Sequence, residues 1–164
     1  MEIYPWVVLL HVVGAFIFAL SHGVAIWMAV QLPRERDRNR IAALLDLSSG
    51  SLAGVYLGLV LLLIGGIWAG IIGGWFGRLW IWLALVLVIG IAIVMYVVAT
   101  PYFGNLRAAV GVRAKYGPKD APDPVPQSDA EVAAMAARSP QAILSTVGLG
   151  GLLIILWLMV LKPF

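Results

Sequence analysis

The sequence predicts an all-α fold, a membrane four-helix bundle, and three observations carry that prediction. Four apolar stretches, about 6–32, 48–72, 77–100 and 140–161, each match the roughly 20 residues that a helix needs to cross a hydrocarbon core. Hydrophobic residues make up 62% of the chain and charged residues 12%, against about 25% charged in an ordinary soluble domain. The charges fall almost entirely between the stretches. Residues 1–164 therefore read as a single transmembrane domain with a long cytoplasmic connection, 101–139, and no large soluble module.

Each element has its own signals. The opening Met-Glu-Ile-Tyr-Pro has no basic segment, and no polar small-residue cleavage region follows the first apolar run, so this run reads as a retained span. Pro5 suits a first helical turn, where its missing N–H is not needed. Pro33 ends the span, and 34–40 alternates arginine with acidic residues or asparagine as a hydrated turn. Residues 41–47 restart as a short helix leading into the second span. There Gly50, Gly54 and Gly58 recur every four residues, a small-residue stripe that admits a close neighbour, either a helix within the bundle, a second copy or a flat cofactor. Trp75, Trp80 and Trp82 cluster about the tight turn into the third span, as at a membrane–water interface.

The third span is expected to stop near Thr100-Pro101. Residues 102–116 read as a basic amphipathic piece and 117–127 as an exposed Pro- and Asp-rich loop. Ser128 with Glu131 forms a capping-box pattern. Ser139-Pro140 reads as N-cap and first residue of the fourth span.

Charge sets the expected orientation. Arg34, Arg36, Arg38 and Arg40 lie in the first connection, and Arg107, Arg113, Lys115, Lys119 and Arg138 in the third. Only Arg78 and Lys162 lie on the other side. The positive-inside rule puts both larger loops in the cytoplasm and both termini outside, as in a multi-pass protein of the bacterial inner (plasma) membrane. Because the basic residues are divided among loops, the net charge of +3 gives no nucleic-acid surface, and the expected partner is the bilayer itself. The chain has no cysteine, which excludes disulfides, thiolate metal sites, iron–sulfur clusters and covalent haem attachment.

The only histidines, His11 and His22, both lie in the first span. Eleven residues bring a helix back to within about 20° of its starting direction, ~16 Å further along, so the two imidazoles share a face at different depths. Phe18 lies between them, and small residues flank each: Gly14 and Ala15, then Ala19, Gly23 and Ala25. An ionisable group at such depth marks a functional-site candidate. Three readings stand. The first is b-type haem, with His11 the better axial ligand and His22 the second, and with Trp68, Trp80 and Trp82 flanking the outer site. Two bis-histidine haems need four imidazoles and each chain offers two. The remaining ligand would be a methionine (Met28, Met95 or Met159), an open position, or an imidazole from a homodimer partner. The second is a metal ion such as copper at His11 or His22, although one ion cannot bridge both. The third is structural, each imidazole hydrogen-bonding across helices to Ser21, Ser51, Tyr56, Tyr96, Ser145 or Thr146. No phosphate-binding loop, catalytic triad or in-span carboxylate pair is present, which argues against nucleotide chemistry and carboxylate-coupled transport.

The segments Tyr4-Pro5-Trp6, Leu10-His11-Val12-Val13-Gly14 and Ser21-His22-Gly23 resemble a bacterial family of four-span integral membrane proteins catalogued as a domain of unknown function. Leu45-Asp46-Leu47-Ser48-Ser49, Gly66-Ile67-Trp68-Ala69-Gly70 and Ala99-Thr100-Pro101-Tyr102 extend the resemblance to most of the chain outside 103–139. It implies the four-span topology and no assigned activity. The run 10–14 is also similar to the first-helix signature of copper-resistance D-like proteins and HemJ-type protoporphyrinogen oxidases, which are haem- or copper-associated. Only His11 has a matching position. The lysine that the HemJ type carries in a later helix has no in-span counterpart, so oxidase activity does not carry over. Together these readings predict a small haem-binding redox or electron-transfer membrane protein. The alternatives are a non-enzymatic scaffold or accessory subunit in a larger membrane complex and, third, a copper or small-solute transporter.

Overall fold

The computed structural model describes residues 2–113 and 123–164, and among these it contains helices and turns but no strand. Four helical stretches are long and apolar enough to span a membrane: Tyr4–Arg34, Arg38–Ile72, Leu79–Ala109 and Gln141–Leu161. They build a bundle from two helix pairs. Helix α1 (Tyr4–Gln31) packs along α2 (Arg38–Ile72), and α3 (Leu79–Ala109) packs along the fourth span. That span is composite: α5 (Gln141–Ser145) passes through a π-helical segment, Thr146–Gly150, into α6 (Gly151–Leu161), while α4 (Asp129–Ala137) lies in the connection after α3.

Missing side chains set how closely α1 and α2 approach. A Cβ on Gly65 would stand 2.6 Å from the His11 backbone nitrogen, and one on Gly58 would stand 2.7 Å from Phe18 Cα. A Cβ on Gly54 would collide with Ser21 Oγ, and one on Gly14 with the Leu62 backbone nitrogen. The stripe at Gly54 and Gly58 is therefore spent within the chain, Gly54 against the Ser21 side chain and Gly58 against the Phe18 backbone, where dispersion contacts can form in the absence of any hydrophobic difference from lipid. Gly50 faces open space.

Two buried clusters close the bundle at opposite ends. At the end holding both termini and the 73–78 turn, Trp80, Ile81 and Ala84 of α3 pack on Ile155 and Leu158 of α6. At the loop end Met28, Leu32, Ile41, Leu45, Leu106 and Ala109 enclose Val132 and Ala136 of α4. There the buried Arg107 reaches from α3 to Asp46 (2.5 Å), Ser49 Oγ (2.7 Å) and the Leu45 carbonyl (3.0 Å) on α2. Arg38 binds Asp129 at 2.6 Å and also meets the Gln127 carbonyl.

This loop-end core corrects several expected boundaries. The short 41–47 helix is the first part of α2, which starts at Arg38 with the Asp37 side chain accepting from the Arg40 N–H. Helix α3 runs through Pro101 to Ala109, because burial of Leu106, Arg107 and Ala109 holds it beyond the proline. Residues 102–109 of the expected amphipathic piece thus belong to α3. Gly111, at φ 83°, forms the turn that follows, and 114–122 lie outside the described residues. Ser139 is not a cap: its N–H bonds Ala136 O in the closing turn of α4, and the fourth span starts one residue later, with Pro140 at N-cap. Ser128 and Glu131 do form the reciprocal capping box.

Candidate functional site

Between the two helix pairs, toward the end bearing the termini, lies a half-open cavity of ≈ 150 Å³. His11 from α1, Gly66 and Gly70 from α2, Trp80 from α3 and Met159 from α6 all line it. The glycines open this side of α2. A Cβ on Gly66 would stand 2.8 Å from His11 Nδ1 and 2.9 Å from its Cε1, and one on Gly70 would stand 2.9 Å from the Phe76 ring. The rest of the wall is almost wholly apolar.

His11 is fixed by a long-range bond, its Nδ1–H donating to the carbonyl of Leu62 at 2.7 Å. A main-chain carbonyl only accepts, so Nδ1 carries the proton and Nε2 carries the lone pair. Among the described residues no hydrogen bond engages Nε2. A histidine oriented through Nδ1 by a carbonyl, with Nε2 left over, is the arrangement that metal-ligating imidazoles use.

The cavity rim is polar and aromatic. The indole N–H of Trp75 donates to Tyr4 Oη at 3.1 Å, and Lys162 Nζ sits 4.1 Å above the Trp75 ring and 5.9 Å from that of Trp80. Lys162 terminates α6 in the left-handed conformation, at the helix end where a cation is favoured. Gly74, at φ 67°, makes the turn that folds Trp75 back over the helix pair, and Gly73 has no side chain to block the indole.

Of the expected flanking tryptophans, Trp80 lines the cavity and is buried. Trp68 and Trp82 are exposed and outside its wall, and Trp82 donates to the Phe76 carbonyl at 3.0 Å. Tyr4, Trp75 and Lys162 are cavity residues that sequence reasoning passed over. The Gly73-Gly74 pair before Trp75 was the available signal, since it allows a tight reversal.

His22 occupies a different place. Its ring stacks on Phe18 at 5.4 Å and 13°. Its Nε2 lies 3.1 Å, and Met95 Cε 2.9 Å, from the point a Cβ on Gly148 would occupy. The imidazole therefore abuts α3 and the π segment of the fourth span, where the added residue in the helical turn marks a local departure often found at functional sites. Of the in-span sulfurs, Met159 shares the cavity with His11 and Met95 adjoins His22, while Met28 is sealed in the loop-end core. Among the described residues no three His, Cys, Asp or Glu side chains converge. A metal at either histidine would draw its other ligands from sulfur, backbone or outside the chain.

Comparison with family models, curated proteins and solved structures gave no match.

Proposed function

We propose that this protein binds b-type haem in the cavity beside His11 and serves in redox or electron transfer in the bacterial inner membrane. The carrying observation is the His11–Leu62 bond at the wall of an apolar cavity, which fixes the tautomer and leaves Nε2 available. The donor chemistry of the lining residues suits such a group. His11 Nε2 would hold its iron, Met159 offers a sulfur in the same lining, and Trp75 and Trp80 supply flat aromatic faces. Lys162 supplies a cation at the rim for acidic side chains of the macrocycle. When bound, haem supplies a one-electron couple whose potential follows from axial ligation, burial and nearby charge. The chain's own part is to hold the Nδ1 proton on Leu62 O, to exclude water with an apolar wall and to orient the ligand between two helix pairs. His22, beside Met95 and Gly148, is the second candidate ligand, and a second copy of the chain would complete ligation where one imidazole is insufficient. Nine basic residues on the loop side against two on the other support cytoplasmic loops and external termini.

A second reading has its own support. The same His11–Leu62 bond, with the glycine contacts around it, ties α1 to α2, which is what a structural histidine in a non-enzymatic scaffold or accessory subunit would do. Visible spectra of the detergent-purified protein, oxidised and dithionite-reduced, separate the two beside His11→Ala and His22→Ala. A Soret band that shifts on reduction and is lost in one variant supports haem and names its ligand. A colourless protein, expressed with adequate haem and folded, supports the scaffold.

A further inference from the structure

At the loop end a second groove of ≈ 660 Å³ opens between the last turns of α1 and the first turns of α2. It belongs to neither the His11 cavity nor the His22 contact. Its upper wall carries Arg34, Arg40 and Gln31, and its lower wall Trp27, Leu44 and Leu47. Trp27 is 62% exposed and Leu47 57% exposed, at the boundary where two spans end in arginines. An exposed indole beside guanidinium groups is the signature of the membrane–water interface.

The charges here are only partly satisfied internally. Glu35, which also lines the groove, accepts from the backbone N–H groups of Arg36 (2.9 Å) and Asp37 (3.2 Å) and pairs with Arg40 Nε at 3.1 Å. Those two backbone bonds, and then the charge of Arg40, hold its carboxyl below the usual carboxylate range. Arg40 keeps its terminal nitrogens for another partner, its side chain being 76% exposed. Arg34 has no hydrogen bond or ion pair with the described residues. Arg36 turns to the Pro33 and Glu35 carbonyls, and Arg38 is committed to Asp129. One free guanidinium, one half-engaged guanidinium and one neutralised carboxylate leave net positive charge beside the apolar side chains of the groove.

We propose that this groove binds an anionic phospholipid, its phosphate between Arg34 and Arg40 and its acyl chains along Trp27, Leu44 and Leu47. Charge complementarity selects the headgroup, and the exposed indole and leucines select a lipid over a soluble phosphate ester. Basic pockets beside helix ends recognise acidic headgroups in this way. The proposal is independent of any cofactor at His11.

Native mass spectrometry of the full chain in detergent, titrated with phosphatidylglycerol, phosphatidylcholine or glycerol phosphate, tests it. The expected result is preferential retention of phosphatidylglycerol. Arg34→Gln and Arg40→Gln should each weaken it about fivefold, as expected for about 1 kcal/mol per interfacial basic residue. Arg36→Gln, which removes the same charge from the same turn, should have little effect. In vesicles, phosphatidylglycerol brominated on its acyl chains should quench the wild type more than Trp27→Phe, and the difference should be smaller with the same mole fraction of brominated phosphatidylcholine. This second readout leaves the arginines intact. Equal retention of the two lipids, equal loss in Arg36→Gln and Arg34→Gln, or binding of glycerol phosphate as strong as that of the lipid would each overturn the proposal.

Discussion

The imidazole of His11 on α1 donates its Nδ1 proton to the main-chain carbonyl of Leu62 on α2, across 2.7 Å. One bond thus couples the close α1–α2 contact to the candidate site. Gly65 lets the two backbones approach and Gly66 leaves room for the ring, the approach brings the carbonyl within reach, and the carbonyl dictates which ring nitrogen is left for chemistry.

That chain of cause predicts a contrast among glycines. Gly58→Ala places a methyl against the Phe18 backbone, which cannot swing aside, and should destabilise the protein by about 1–3 kcal/mol, the range for overpacking. Gly90, on α3, has nothing within 4 Å of its would-be Cβ. Gly90→Ala should be neutral or stabilise by up to about 1 kcal/mol through helix propensity. Thermal unfolding in detergent should order the variants as Gly90→Ala at or above wild type, with Gly58→Ala well below. Equal melting of all three would contradict the backbone-contact account.

Arg107 makes a sharper claim at the loop end. Its fork serves Asp46, Ser49 and the Leu45 carbonyl together. Lysine has one compact ammonium and cannot span that set. Arg107→Lys should therefore fail to restore wild-type stability, with a loss of about 2–4 kcal/mol for a largely buried hydrogen-bonded charge. Asp46→Asn should cost less, since the Asp46 side chain is 62% exposed and solvent screens the pair. Melting curves and trypsin resistance of the two variants decide the order.

Helix α4 carries a pH signature. Its capping box holds the Glu131 carboxyl below its ordinary value, first through the Ser128 hydroxyl and then through the Ser128 backbone N–H. A carboxyl depressed in the folded state contributes stability that is present above its unfolded value, about 4.3, and is lost as pH falls through the folded one. Hydrogen exchange at the first turn of α4 should therefore accelerate as pH is lowered below that range, after correction for intrinsic rates. Glu131→Gln should remove this dependence. An unchanged pH profile in the variant would show that the box does not hold the helix end.

What was legible in the sequence was what short-range chemistry decides. The four apolar lengths, the Ser128–Glu131 box and the spacing of Gly54 and Gly58 each depend on a few neighbouring residues, and each has a direct counterpart in the structure. Boundaries set by distant packing were not legible. Pro101 reads as a stop, yet burial of Leu106 and Arg107 carries α3 past it, and an arginine-rich turn conceals the start of α2 because Ile41 and Leu45 are buried by partners far along the chain. The π segment is invisible to periodicity, since one added residue in an apolar run changes no pattern. The histidines could be nominated from depth alone. The cavity, with Trp75 and Lys162 at its rim, is lined from four helices and a turn far apart in the chain, and no local signal records that.

The most direct test of the site is rescue of its missing ligand. His11→Gly should be purified after expression with ample haem, and its reduced-minus-oxidised visible spectrum recorded with and without added imidazole. The variant should lose the wild-type signal, and free imidazole, entering the space the ring vacated, should restore it. A variant that keeps the wild-type spectrum, or a folded wild type that shows no haem spectrum at all, would contradict His11 as the axial ligand.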